Sequence, residues 1–368
     1  MIRRSRHPGR LERALASGRE VITCEIASGD SADPDDVRRR GRLVRDHVDA
    51  VNVPDNTAGL VHMSALAAAA ILVREGIEPV MHVTCRDRNR MALQSDLLGA
   101  AALGVRNVLC LTGDHMVHGD HPQAKPVFDL DSIQLLALAD HLTRRGRYLS
   151  GRTIQPPPDL FPGTTENPFA PPYDFRPLRL KKKIEAGARF VQTQIIFDLE
   201  RFARFMAGVR ELGLDRSVPI LAGVAPLRSA DGAVHMRDRV PGIEIPEPII
   251  RRMRGAGPDR TGGEEEGLRI CVEIIERVRE IPGVAGIHLM PIRWEEAVPE
   301  IAARARLTPA LSRAAPVAAA RPPGGPPGGT SGGPTGVPAT APPAKPSPRP
   351  PSGVWIDPPE GESEPAFG

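Results

Sequence analysis

Short apolar runs recur through the first 307 residues of this chain, and most are followed by a longer segment whose apolar residues fall on one helical face. The runs lie at residues 21–27, 50–53, 79–85, 107–111, 160–165, 190–196, 219–225 and 286–290, the fifth being weak. Helical patterns lie between them at 35–46, 62–75, 91–105, 131–144, 175–186, 199–212 and 264–278. Strands buried on both faces and one-sided helices pack as alternating β and α layers, so the fold class is α/β. Eight strands over about 300 residues is the rhythm of a (β/α)8 TIM barrel. A doubly wound open sheet is the alternative; against it, no GxGxxG turn follows the first strand.

In parallel α/β proteins chemistry collects at the C-terminal ends of strands, so the polar residues there are the candidate site. The stretch 78–114, EPVMHVTCRDRNRMALQSDLLGAAALGVRNVLCLTGD, reads as strand, helix, strand, and ends on a turn and a carboxylate, Asp114. Glu25 sits among apolar neighbours in the first strand, where burial would raise its pKa and suit it to general-acid work; the competing reading is a salt-bridged structural acid. Asn52, Asp55 and Asn56 end the second strand, His82, Thr84 and Arg86 the third, and Gln192 and Gln194 belong to the sixth. This hydrogen-bonding ring suits a flat, heteroatom-rich ligand. No Ser or Cys nucleophile stands beside a base in an elbow motif, which argues against covalent acyl chemistry. His115, His118 and His121 lie in one loop without metal-ligand spacing and read as loop histidines, so no metal is expected. Lys181, Lys182 and Lys183 read as a solvated helix face, or as one lysine reaching a cofactor phosphate.

Composition narrows the partners. A net charge of +3 with interspersed acids carries no nucleic-acid stripe. No apolar run is of membrane-spanning or signal-peptide length, and the four dispersed cysteines read as small buried hydrophobes, so a cytoplasmic protein is expected. Beyond residue 307 Pro, Gly, Ala and Ser take over, which predicts a disordered tail over 308–368 behind one catalytic barrel domain over 1–307.

Several segments together resemble the methylenetetrahydrofolate reductases over residues 21–307: the first-strand glutamate, VNVPDN, HVTCRDRNRMALQSDLLGAAALGVRNVLCLTGD, GDHPQAKPVFDLDS, NPFAPPYDFRPLRLKKKIEAGARFVQTQIIFD and GIHLMPIRWEEAVPEI. The resemblance implies a barrel holding a flavin, FAD with FMN as the alternative. It implies reduction of 5,10-methylenetetrahydrofolate to 5-methyltetrahydrofolate by ping-pong hydride transfer. NADH, NADPH or an electron-donor subunit would supply the electrons, and a homo-oligomer is expected. Residue by residue, Glu25 matches the general acid that protonates the folate, and Asp114 matches the aspartate beside flavin and pterin. Gln194 matches the glutamine that binds the pterin, His82, Thr112 and Gly113 match flavin-contacting positions, and Lys183 matches the lysine near the cofactor phosphates. Pro54 and Asn167 stand where a hydroxyl residue and a tyrosine commonly touch FAD, and with Asp55 they complete the expected cofactor-binding set. Two alternatives are kept: a related pterin reductase or complex subunit using another donor, and a flavin-less barrel acting as an interaction protein.

Overall fold

The apolar runs close into one parallel barrel in chain order. The computed structural model describes residues 8–240, 242–257 and 259–311. The strands are β1 (Val21–Glu25), β2 (Ala50–Val53), β3 (Pro79–Thr84), β4 (Asn107–Leu111), β5 (Phe161–Glu166), β6 (Val191–Ile195), β7 (Ile220–Val224) and β8 (Val284–Leu289). Closure comes from β1 pairing with β8, Val21 opposite Gly286 through Cys24 opposite Leu289. The closed barrel overturns the open-sheet alternative. The weak fifth run is a full strand despite its proline and glycine.

The expected helices appear as α2 (Pro34–Val44), α3 (Ala65–Arg74), α4 (Arg90–Ala102), α5 (Ser132–Arg145), α6 (Arg176–Glu185), α7 (Leu199–Glu211) and α10 (Arg260–Arg279). Side-chain caps start most of them: Asp33, Ser64, Asn89, Asp131, Asp198 and Asp259 each accept from a backbone N–H of the first turn, and Asp131 forms a capping box with Gln134. Each such cap is worth about 1 kcal/mol and fixes where the strand-to-helix loop ends. Four further helices were not expected: α1 (Arg10–Ala16), α8 (Ala230–Arg239), α9 (Glu247–Gly255) and α11 (Val298–Arg304). They are short or strongly charged, which weakens the periodic signal.

The interior is layered, because side chains two residues apart on a strand share a face. At the N-terminal end Val21, Ala50, Val80, Leu109, Phe190 and Leu221 form an apolar plug with Leu11 and Ala14 of α1 and with Ala310. One step up lie Thr23, Asn52, His82, Gln192 and His288, all buried and all polar. The top layer, with Glu25, Thr84, Leu111, Thr165 and Gln194, lines an open cavity. Ordered structure continues past the expected boundary at residue 307, since Ala310 is buried and its N–H donates to Asp49. The expected tail otherwise lies outside the described residues. Among those described, no helix is long and apolar enough to cross a membrane.

Candidate active site

The cavity at the C-terminal ends of the strands holds about 340 Å³. That is the small end of the range for ligand sites, and its walls are chemically distinct. Glu25, at the end of β1, is partly buried, with 24% of its side chain exposed. Burial, and then the carboxylates of Glu295 and Asp114, raise its pKa to about 7. Glu295 comes from the turn after β8. Both its oxygens accept from Arg40 at 2.9 Å, and one also accepts from the N–H of Ala27 at 2.9 Å. A fixed, buried anion thus faces Glu25 and disfavours a second negative charge.

His82 Nε2 lies 3.9 Å from Glu25 Oε2. Burial depresses the His82 pKa to about 3, so the imidazole is neutral and does not pair with Glu25 as a cation. Asp114 is exposed at the rim, and its Oδ2 accepts from the N–H of Ala58 at 3.0 Å. Behind it Gly113 has φ +94°, and a Cβ there would come within 3.0 Å of Thr84 Cβ and 3.1 Å of Arg86 Cβ. Only glycine lets the Thr112–Asp114 backbone lie this close to β3. Arg86 closes the corner, donating to the Asp114 carbonyl at 3.0 Å while pairing with Asp87 at 2.7 Å. Gln194, which lines the cavity, accepts at Oε1 from the N–H of Ile195 at 2.9 Å, a bond that occupies the acceptor end of the amide and leaves its nitrogen as the donor end.

The opposite wall is cationic. Arg176, Arg179 and Lys183 of α6 line it together with a single carboxylate, Glu166. Lys181 and Lys182 are exposed as a solvated face, whereas Lys183 is buried, 3.2 Å from Glu166 Oε2. Burial lowers the Lys183 pKa, with Glu166 opposing that shift. Arg176 and Arg179 were missed in the sequence. Their spacing to Lys183, i, i+3 and i+7 on one helix face, was the available signal. Glu166 and Glu295 were missed too: Glu295 lies within the segment GIHLMPIRWEEAVPEI, but nothing there singles out its carboxylate, and Glu166 directly follows the weak fifth run.

Glu25, Asp55, His82, Thr112, Gly113, Asp114, Asn167, Lys183 and Gln194 all line the one cavity. Pro54 is not among its lining residues; its carbonyl accepts from Ser28 Oγ at 2.6 Å. The Asp55 carboxylate is engaged within the protein, accepting from Thr84 N and Oγ1 at 2.9 Å and pairing with Arg88. Asn167 is likewise engaged within the protein, accepting from Phe169 N in its own loop at 2.9 Å and donating to the Gly242 carbonyl in the loop between α8 and α9 at 3.1 Å. Gln192 points into the polar layer below the cavity. His115 caps a 3-10 turn by accepting from Val117 N at 3.2 Å. No group of three or more His, Cys, Asp or Glu side chains is placed to hold a metal among the described residues.

A flavin fits this donor set. Three cations against one carboxylate suit a diphosphate, and the glycine-permitted backbone at Thr112–Asp114 gives a flat ring a place to lie close.

A closed (β/α)8 barrel with its polar cavity at the C-terminal ends of the strands belongs, by architecture, to the barrels that carry catalysis on that face. The chain belongs to the methylenetetrahydrofolate reductase family, whose profile matches residues 10–306. It is 27% identical over 242 residues to a probable methylenetetrahydrofolate reductase (NADPH) of Caenorhabditis elegans, covering 66% of this chain and 34% of that protein. A 5,10-methylenetetrahydrofolate reductase of Salmonella typhimurium is 25% identical, covering 61% of this chain and 68% of its own length. The chain thus spans about a third of the length of the eukaryotic relatives it matches. Among solved structures, an uncharacterized Clostridium thermocellum protein that binds two copies of 5-methyl-5,6,7,8-tetrahydrofolic acid superposes with TM-score 0.55 at 13% identity. It covers 80% of this chain and 98% of its own, and the likeness is one of fold.

Proposed function

We propose that this chain reduces 5,10-methylenetetrahydrofolate to 5-methyltetrahydrofolate with a bound flavin, FAD before FMN, and a reduced nicotinamide or a donor subunit as the source of electrons. The observation that carries this reading is a carboxyl group, Glu25, with its pKa raised to about 7 at the mouth of a barrel of this family. Such a group holds a proton at neutral pH and can release it within one turnover.

A flavin, when bound, supplies hydride chemistry that no side chain of the cavity possesses. Arg176, Arg179 and Lys183 would hold its phosphates, and Thr112, Gly113 and His82 would border its ring. Glu25 gives its proton to the folate nitrogen that leaves the methylene bridge, so the ring opens to an iminium cation. The Asp114 carboxylate, fixed by Ala58, places negative charge at the rim where that cation would form, and favours it. Gln194 orients the pterin by donating from its amide nitrogen.

The test is an anaerobic titration of the purified protein in one cuvette. Flavin absorbance should bleach with NADH or NADPH and return on adding methylenetetrahydrofolate. Glu25→Gln should leave the first step intact and slow the second by at least about 100-fold, the usual contribution of a positioned acid. Equal loss of both steps would sink the acid role. A protein that cannot be reconstituted with FAD or FMN would sink the flavin reading.

A further inference from the structure

The polar layer beneath the cavity is an unusual way to fill a barrel. Side chains of that size could be apolar, as they are one layer below. Instead Asn52 and Gln192 form a reciprocal amide pair: Asn52 Nδ2 donates to Gln192 Oε1 at 2.7 Å, and Gln192 Nε2 donates to Asn52 Oδ1 at 3.0 Å. Each amide has one more hydrogen to give. Gln192 gives it to Thr23 Oγ1 at 2.9 Å, and Thr23 lies 2.9 Å from His288 Nδ1. Asn52 presents its second hydrogen to His82 Nε2 at 2.9 Å. An amide nitrogen against a ring nitrogen requires that ring nitrogen to carry a lone pair, so the His82 proton sits on Nδ1.

This bears on Glu25, whose Oε2 is 3.9 Å from the same Nε2. With hydrogen on Nε2, His82 would offer a donor to a Glu25 carboxylate and favour loss of the acid's proton. With a lone pair there it offers none. We propose that Asn52 is a positioning residue for proton transfer: by donating to His82 Nε2, in an orientation set by Gln192, it keeps that imidazole from stabilising the Glu25 carboxylate and so keeps Glu25 in its acid form. This rests on the reading of Glu25 as the acid. The other titratable groups bearing on the pair act in the same sense. Glu295 from the turn after β8 and Asp114 from the end of β4 both oppose ionisation of Glu25, burial alone holds His82 neutral, and His82 in turn opposes protonation of its fellow imidazole His288 of β8.

The experiment uses the flavin-loaded protein with 15N-labelled histidine, His82 being assigned from His82→Gln. In the parent protein Nε2 of His82 should be unprotonated and its shifts unchanged between pH 8 and about 5.5. Asn52→Leu removes the donor at similar volume. There Nε2 should gain a hydrogen, and the alkaline limb of the folate half-reaction should move down by about one pH unit, a tenfold loss of rate above it, with donor-driven bleaching unchanged. Gln192→Met, which unties the orienting partner, serves the same purpose should Asn52→Leu not fold.

The reverse setting of both amides would put Oδ1 against Nε2 and demand a hydrogen there. Finding that hydrogen in the parent protein overturns the proposal, as does a variant with the parent's tautomer and pH profile. If Glu25→Gln turns over folate at the parent rate, the proposal falls through its acid assignment instead. That failure is recognisable because the nitrogen shifts do not depend on turnover.

Discussion

Nζ of Lys183 lies 3.2 Å from Oε2 of Glu166 inside the cavity wall, with only 5% and 1% of the two side chains exposed. Two neighbouring lysines on the same helix are solvated, so the pair reflects where β5 and α6 meet and not the charge of the segment. Removing one partner from a buried pair leaves the other uncompensated, at a cost of about 3–5 kcal/mol. Arg176, 3.8 Å from Glu166 Oε1, takes up part of the charge and places Lys183→Met near the lower figure. Lys183→Met with Glu166→Gln should recover most of the loss. Urea unfolding of the single and double variants reads this directly; a single-variant loss below about 1 kcal/mol would mean that the pair is solvated.

Glu25 should weaken the fold above neutral pH. Its carboxyl titrates near 4.5 in an unfolded chain and about 7 in the native one, so the native state binds the proton more tightly. The stability this adds is complete below about pH 4.5 and is lost as pH rises through about 7. The difference corresponds to about 3 kcal/mol, trimmed by solvent reaching the exposed quarter of the side chain. Glu25→Gln should therefore be more stable than the parent by about 2 kcal/mol at pH 8 and equal to it near pH 4. Denaturant midpoints at the two pH values decide it: a pH-independent difference would mean that the Glu25 pKa is not raised in the native state.

Phe190 fills the lower barrel only because Gly163 faces it. A Cβ at 163 would lie 2.2 Å from the Phe190 ring, far inside van der Waals contact. Gly163→Ala should cost about 1–3 kcal/mol or more, as overpacking does, and Phe190→Leu in the same chain should restore part of it. Thermal unfolding of the three variants would show the coupling; strict additivity would count against this contact.

The barrel was legible in the sequence because each strand is an apolar run and most helices carry a one-sided pattern, two periods that local sequence records directly. Glu25, Asp114 and Gln194 were legible because strand ends can be counted. The cationic wall was only half legible. Lys183 drew attention as part of a lysine run, while Arg176 and Arg179, which share its face, looked like ordinary surface arginines. Glu295 and the role of Asn52 were not legible at all, since each depends on which layer of a closed barrel meets which. For Pro54, Asp55 and Asn167 sequence position gave only part of the picture. Asp55 and Asn167 line the cavity while also hydrogen-bonded within the protein, and Pro54, whose carbonyl accepts from Ser28, is not among the lining residues.

Asp49 holds both ends of the described chain against the closed end of the barrel, and its loss should be felt in stability before it is felt at the cavity. The side chain is buried and accepts from Ile22 N at 3.1 Å, Ala310 N at 3.0 Å and Leu311 N at 3.2 Å. Arg10, the first residue of α1, which packs under the plug, lies 3.6 Å from the same carboxylate. Asp49→Ala leaves those N–H groups without their acceptor, at about 1–3 kcal/mol for each that water does not reach. A loss of at least about 3 kcal/mol is expected. Asp49→Asn, which keeps one acceptor oxygen, should lose less. Because these bonds lie at the end of the barrel opposite Glu25, flavin absorbance and folate KM should be those of the parent at low temperature. Limited proteolysis should then cut the segment after α11 faster in Asp49→Ala; a parent-like cleavage rate with a parent-like melting curve would show that the clasp contributes nothing.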